Sequence, residues 1–413
     1  MLLPQGSMDI DIRPIKPDEF DAYARAVERS FGVHPRDEEI ATWRGVTEYE
    51  RSLAAFEGSE IVGTAAAFSL EVTVPGGHLP MAGLTAVGVA PTHRRQGLLT
   101  MMMRRQTDDA HEAGELLAGL WASEGAIYQR FGYGMATFAA DLEIERYRSA
   151  FTRPLEPAGR VRLVDKAAAL ELFPAVYDRI LPGQPGMLAR TPAWWEELYA
   201  DLENWRGGAS ALFFAIYSSA GGSDEGYLAY RVKHAWPESG PSIFKVRELM
   251  AATPGAYAAL WRFCLDHDLM NKIQAWPMRP EEPLLHLLAN PRQLNLKVGD
   301  GLWLRLLDVP MALSSRRYSN PDRLVLEVRD TFCPWNDGRF ELEAGPDGAE
   351  CVPTDREPDL ALEAWDLGAA YLGGVRFSTL SRAGRVGQLT PYALARADAM
   401  FQWDPPPWCP QVF

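Results

Sequence analysis

Cysteine is scarce in this chain. The four at positions 264, 333, 351 and 409 form no close metal-ligand pairs among 413 residues. Free buried thiols in a reducing cytosol are the expectation, and no metal is called for. Basic charge is also short: 41 Lys and Arg stand against 55 Asp and Glu, for a net charge of −14. That balance argues against broad binding to nucleic acid or to an anionic membrane, and it suits a cationic small molecule or peptide. No stretch approaches the ~20 uninterrupted apolar residues of a membrane span. Met1–Ser7 lacks the basic and apolar segments of a signal peptide, and Met8 is an alternative start. A cytoplasmic, enzyme-sized protein is expected, with an ordinary 47% hydrophobic and 23% charged content.

The most informative stretch runs from Val87 to Thr100, Val-Gly-Val-Ala-Pro-Thr-His-Arg-Arg-Gln-Gly-Leu-Leu-Thr. An apolar strand (84–89) stops at Ala90-Pro91, because proline has no amide to continue a ladder. A basic turn follows, then a helix rich in Met and Leu. Gly97 lets backbone approach a ligand, and the first helical turn leaves amides unpaired. Those amides, the helix dipole, Arg94 and Arg95 together favour a pyrophosphate. The bland alternative is a strand, a solvated basic turn and a helix. The stretch resembles the acyl-CoA-binding pattern of GCN5-related N-acetyltransferases, Arg/Gln-x-x-Gly-x-Gly/Ala, with Leu99 in place of the final small residue.

Strands interleave with helices along the whole chain, which predicts mixed α/β sheets. A first unit opens with a strand at 10–14 and helices at 17–30 and 37–43. A hairpin at 53–70, the strand and helix of the basic turn, a buried strand at 117–121, a short helix at 123–128 and a strand at 137–144 complete it. Arg153–Gly159 reads as a linker. Beyond it the order repeats, with strands at 161–164, 211–217, 226–232 and 244–252 and helices at 167–178, 192–202 and 256–266. The strand–Pro–helix step at 244–266 parallels the one at 84–112 without the basic turn. A degenerate second copy of one fold is the economical reading, against chance likeness of two α/β units. From Gly301 the texture changes, with strands at 302–307, 324–327, 337–343 and 360–363 and helices at 365–371 and 391–400. The tail Asp404–Phe413, with four prolines, cannot be helical and is either a frayed end or a docked extended strand, fraying being the default for a terminus.

Acyl transfer from a thioester to an amine needs a held donor, a polarised carbonyl, a base for the amine and an acid for the thiolate. Val87, Gly88 and Val89 can offer backbone amides to the donor. Tyr128, within Ala122-Ser123-Glu124-Gly125-Ala126-Ile127-Tyr128-Gln129-Arg130-Phe131-Gly132-Tyr133-Gly134, is the candidate acid, since a neutral phenol of pKa ~10 suits a thiolate leaving group. A packed core tyrosine is the alternative; Tyr133 competes for the role, and Phe131 is expected to pack.

These two segments together resemble the actinobacterial enhanced intracellular survival (Eis) acetyltransferases. The likeness continues through Asp300-Gly301-Leu302-Trp303-Leu304-Arg305, Cys351-Val352-Pro353-Thr354-Asp355, Tyr371-Leu372-Gly373-Gly374 and a terminal Phe. In that family Leu at the position of Leu99 is ordinary. The resemblance implies tandem acetyltransferase domains (1–155 catalytic, 156–300 degenerate) and a sterol-carrier-like domain (301–413) whose C-terminus reaches the active site. It implies acetyl-CoA as co-substrate, a homohexamer, and acetylation of several amines on aminoglycosides. Cofactor contacts carry over to Val87, Gly88, Val89, Arg95, Gln96, Gly97, Leu98, Leu99, Thr100, Ser123 and Glu124; the acid to Tyr128; and the base to the terminal carboxylate of Phe413. Such a carboxylate, of ordinary pKa ~3.5, is charged at neutral pH and can receive an ammonium proton.

Other residues draw weaker expectations. His93 is read as packing or lying near phosphate. Asp18, Glu19, Asp21, Glu28, Asp37, Glu38 and Glu39 form either an electronegative rim for a polycation or, more simply, a solvated helix face. Trp43 is pocket or core. Direct attack in a ternary complex is favoured over an acyl-enzyme, because no cysteine lies near the cleft motifs. The alternatives are a lysine, peptide or other amine-antibiotic acetyltransferase and, from another class, a ligand-binding scaffold with a vestigial transferase domain.

Overall fold

The computed structural model describes residues 10–154, 159–235 and 240–413. The N-terminal segment with Met8, and residues 155–158 of the linker, lie outside them. The chain divides into two compact units. One holds the residues up to 136 with 302–403 and Phe413; the other holds 137–301 with 404–412.

The first unit contains a seven-stranded mixed sheet and a five-stranded one. The larger is built from β1 (Ile10–Pro14), β2 (Ser52–Glu57), β3 (Glu60–Val74), β4 (Gly77–Val89), β5 (Leu117–Trp121), β6 (Gly134–Met135) and, numbered by its place in the chain, β14 (Leu302–Leu306). Its order is β1-β2-β3-β4-β5-β14-β6, antiparallel except for the β4–β5 pair. Helices α1 (Phe20–Ser30), α2 (Asp37–Trp43), α3 (Leu98–Glu112) and α4 (Gly125–Tyr128) accompany it. β3 and β4 form a long hairpin through the turn at Pro75-Gly76, so the strand expected only from residue 84 begins at Gly77. The apolar faces close over one core in which Leu84, Met103, Leu120, Tyr128 and Trp303 are buried together.

The smaller sheet runs β17 (Gly348–Pro353), β16 (Gly338–Gly345), β15 (Asp322–Arg329), β18 (Leu360–Glu363), β19 (Val386–Gln388), with helices α9 (Val309–Ser314), α10 (Ala364–Ala370), α11 (Phe377–Arg382) and α12 (Ala393–Phe401). Arg316 is fully buried and donates to the carbonyls of Tyr371 and Phe401, at the C-terminal ends of α10 and α12. Those helix ends carry the partial negative charge a guanidinium needs.

The second unit is a seven-stranded mixed sheet of β7 (Phe138–Glu145), β8 (Gly159–Val164), β9 (Phe213–Ser219), β10 (Asp224–Lys233), β11 (Ile243–Ala251), β12 (Lys272–Met278) and β13 (Asn295–Asp300). The order is β13-β7-β12-β11-β10-β9-β8, again with one parallel pair, β11–β12. α5 (Lys166–Ile180), α6 (Pro192–Leu198), α7 (Pro254–Leu265) and α8 (Leu284–Leu287) flank it.

Two strands pair differently from the expectation. The strand foreseen at 137–144 as part of the first unit is β7, and it lies between β12 and β13 in the second sheet. The strand foreseen at 302–307 as the start of the third region is β14, between β5 and β6 in the first. Alternation of side chains fixes which faces of a strand are buried and leaves its partner undetermined. The tail also departs from the frayed default. Trp408 donates its amide to the Pro185 carbonyl at 2.8 Å, Gln184 bonds the Pro406 carbonyl at 2.7 Å, and Arg190 Nε donates to Gln411 Oε1 at 2.9 Å. Residues 407–411 are buried, without helix or strand. Among the described residues no helix is long and apolar enough to cross a membrane.

Candidate active site

The site begins with an irregularity in β4. Its pairing with β3 slips between Thr64 and Ala66, which face Gly88 and Thr85. Ala86 falls in the slip with φ +52°, and its carbonyl accepts a 2.8 Å bond from Thr64 Oγ1. A left-handed φ at a residue carrying Cβ costs on the order of 1 kcal/mol, and a bulge bends the strand that bears it. β4 pairs with β5 only through Met81–Gly83 and Leu117–Gly119. Residues 84–89 therefore have no ladder on the β5 side, and Val87, Gly88 and Val89 face a cleft there.

Beyond Ala90 a 3-10 turn (Pro91–His93) leads to two left-handed residues, Arg95 at φ +63° and Gly97 at φ +86°. Gly97 is the N-cap of α3 and offers no side chain to its amides; the first helical bond is Met101 N to Gly97 O, 3.1 Å. The amides of Leu98, Leu99 and Thr100 thus have no partner inside the helix and carry its positive end. The two arginines separate in role. Arg94 donates to the carbonyls of Val89 (3.3 Å) and Ser30 (3.0 Å), tying the turn down. Arg95 is exposed and has no ion-pair partner among the described residues. Gln96 Nε2 returns to the Thr92 carbonyl at 3.2 Å. His93 is held between Thr92 Oγ1 (2.8 Å) and Glu57 Oε2 (3.2 Å). Leu98 packs under the turn with Met102, and the half-buried Leu99 packs on the Tyr128 cluster.

Ser123 and Glu124 follow β5 and enter α4, of which Glu124 is the extended N-cap and Tyr128 the last residue. Tyr128 is 4% exposed. Burial pushes its phenol above the ordinary value, and a hydrogen bond with Ser123 partly offsets this. Tyr133 meets it edge-on at 6.2 Å but lies wholly inside, its phenol driven far up by burial. Phe131 is buried edge-on against Phe332.

One cleft of about 700 Å³ collects these parts. It is lined by Val87, Gly88, Val89, Arg95, Gly97, Leu98, Leu99, Thr100, Ser123, Glu124 and Tyr128. Ser30, Phe31, Ile127 and Arg130 also line it and were not foreseen; Ser30 and Phe31 close α1, some sixty residues away in sequence, which no local pattern announces. Gln96 and Phe413 are outside that lining. Phe413 is half-buried, and a Cβ built on Gly83 of β4 would come within 3.2 Å of its ring. The acidic residues of α1 and α2 largely meet arginines instead of forming a rim. Glu19 takes Arg13 at 2.6 and 2.8 Å, which with a backbone bond from Lys16 holds its carboxyl near 2; Asp37 takes Arg25 at 2.5 Å and Asp21 takes Arg44. Trp43 packs on the Ile15–Phe20 cluster.

The equivalent step in the second unit is closed. α7 is capped by Thr253, whose Oγ1 accepts the Ala256 amide at 3.2 Å, and its first residue is Pro254. Thr253 Oγ1 also donates to Glu225 Oε2 at 2.9 Å.

Acetyltransferase (GNAT) domain models match residues 11–136 and 186–306, and a sterol carrier protein domain model matches 309–410. An uncharacterized N-acetyltransferase of Streptomyces avermitilis is 44% identical over 98% of this chain and 100% of its own. N-acetyltransferase Eis of Mycobacterium tuberculosis is 37% identical over 89% of this chain and 91% of its own. The crystal structure of Eis1 from Mycobacterium abscessus superposes with a TM-score of 0.85 at 34% identity, covering 98% of this chain and 100% of that one. With two GNAT domains and a sterol carrier domain after them, the chain belongs to the Eis-like N-acetyltransferases.

Proposed function

We propose that the chain transfers acetyl from acetyl-CoA to primary amines of aminoglycoside-type cationic acceptors, at several positions, by direct attack in a ternary complex. The observation that carries the reading is the convergence, in one cleft, of an uncapped helix N-terminus, an unpaired strand edge and a buried phenol. Acetyl-CoA supplies the activated acyl group when bound. The amides of Leu98, Leu99 and Thr100 with Arg95 and Gly97 hold its pyrophosphate; Gln96 shapes the turn from outside the lining. The backbone of Val87, Gly88 and Val89 orients the thioester carbonyl, with Ser123 and Glu124 lining the same cleft. Tyr128, kept protonated by burial, gives its proton to the sulfur as the C–S bond breaks and the C–N bond forms, and the proton shed by the new amide nitrogen restores the phenol. The Phe413 carboxylate receives the proton of the acceptor ammonium; the placing of its ring, which a Cβ at Gly83 on the strand that bears the cleft would approach to 3.2 Å, supports that role. No cysteine lines the cleft, which favours direct attack. The hexamer and the division of labour between a catalytic first domain and a cofactor-free second belong to the same proposal.

Thiol release from acetyl-CoA, measured against a panel of aminoglycosides, peptides and simple amines, tests the reading. Aminoglycosides should support release at several equivalents per acceptor, and removal of Phe413 should cut turnover strongly while acetyl-CoA affinity stays. Release with lysine peptides alone would move the acceptor class, and binding of acetyl-CoA without release to any amine would favour a scaffold.

A further inference from the structure

We infer that the loop Asp330–Asn336 of the sterol carrier domain is a brace that positions Tyr128, with Arg305 and Asp330 as its positioning residues; the inference rests on the proposed role of Tyr128. The helix bearing Tyr128 is a single turn, too short to hold its own shape in isolation. It continues into a 3-10 turn (Gln129–Phe131) and ends at Gly132, which is left-handed at φ +81°. Tyr133 then donates its amide to the Tyr128 carbonyl at 3.3 Å, closing the turn.

What grips that turn comes from far along the chain. Arg305 on β14 is fully buried and donates Nη1 to the Phe131 carbonyl, the orphan acceptor at the end of the turn. A Cβ on Gly132 would collide with this guanidinium, so only glycine leaves it room. Arg305 Nη2 bonds Asp330 Oδ2 at 2.5 Å, and Asp330 Oδ1 accepts the amides of Phe332 (3.0 Å) and Cys333 (2.8 Å). The carboxylate therefore fixes the guanidinium on one side and folds its own loop on the other. A buried pair in which the carboxylate accepts three bonds and the guanidinium gives two holds one geometry, because rotation breaks them and leaves a charge unpaired, even though Arg305 Nε itself has no partner among the described residues.

The same loop touches the cofactor helix. Phe332 packs edge-on against Phe131 with centroids 5.1 Å apart, and its carbonyl accepts from Arg104 of α3, whose guanidinium lies 3.8 Å above its ring. Trp335 stacks on His111 of α3 at 4.5 Å. Arg104 and His111 are seven residues apart, on one face of α3. The loop thus joins the helix whose N-terminus receives the donor to the turn that presents the acid. This gives the sterol carrier domain a part in acetyl transfer and gives the buried Arg305 a role.

The test is a double-mutant cycle in the full chain, with steady-state kinetics read as separate kcat and KM. Asp330→Asn keeps the shape and the two amide bonds but removes the charge facing Arg305. It should lower kcat about tenfold and leave the KM for acetyl-CoA within about twofold, the split expected when an interaction is realised in the transition state. Phe332→Leu, a milder change that keeps the site apolar, should act in the same direction and stands in if the first variant does not fold. In a Tyr128→Phe background each should cost less than about twofold more, since the group they position is already gone. Losses that multiply in the double variants, or unchanged kcat in both single variants, overturn the brace. Full activity of Tyr128→Phe would overturn the acid and the brace together, whereas a slow Tyr128→Phe with unaffected brace variants overturns the brace alone.

Discussion

Two helix N-termini in this molecule follow the same plan and reach opposite ends. Each stands at the close of a strand that pairs in parallel over only three or four residues, β4 with β5 and β11 with β12. α3 begins at a left-handed glycine that caps nothing, behind a turn carrying an unpartnered arginine among the described residues. α7 begins with Pro254, which has no amide to offer, and with a threonine that already takes the amide of Ala256. Its threonine is also bonded to a carboxylate, Glu225, of the sign that repels a pyrophosphate. Stability and binding compete for the same unpaired amides. The second GNAT domain has spent one on its own cap and set a proline at another, and the first has left its own uncapped.

The contrast can be broken or sharpened by experiment. Tyr128→Phe should have the largest effect, a fall in turnover of about 100-fold or more with acetyl-CoA affinity retained, as expected for loss of a general acid. Its pH profile carries a sign. The acid works while protonated, and burial raises its pKa, so wild-type turnover should hold through pH ~10, where an ordinary phenol is half ionised. A rate that falls with a midpoint below that value would remove Tyr128 from the role. Arg95→Ala should weaken acetyl-CoA binding about tenfold by titration, the loss of one charge-assisted contact to phosphate, and leave the melting temperature unchanged. Thr253→Ala should do the converse. It should cost about 1 kcal/mol in denaturant unfolding, the value of a helix cap, with turnover unaffected and no cofactor gained, because Pro254 remains.

Much of this site was legible in the sequence because it is local. The turn from Ala90 to Thr100 announces itself through Pro91, two arginines and Gly97, and α3 runs as far as Glu112, where its pattern ends. The second GNAT domain could be read from the strand–Pro–helix step at 244–266 for the same reason. What stayed hidden depends on partners distant in the chain. Ala86 looks like any strand residue, and its positive φ follows from register against β3. Arg94 and Arg95 are indistinguishable until Ser30 is seen to hold one of them. β7 and β14 alternate like their neighbours, and nothing in their pattern says which sheet receives them. The tail reads as a proline-rich end, yet Arg190 and Pro185 fasten it. The loop at 330–336 carries no motif, and its meaning rests on one buried arginine at 305.

The most direct measurement is the stoichiometry of coenzyme A binding by calorimetric titration of the full chain, repeated with Arg95→Ala and Thr253→Ala. One molecule per chain is expected, weakened by the change at Arg95 and indifferent to the change at Thr253. Two molecules per chain, or binding that responds to Thr253 and ignores Arg95, would contradict a cradle confined to the first GNAT domain.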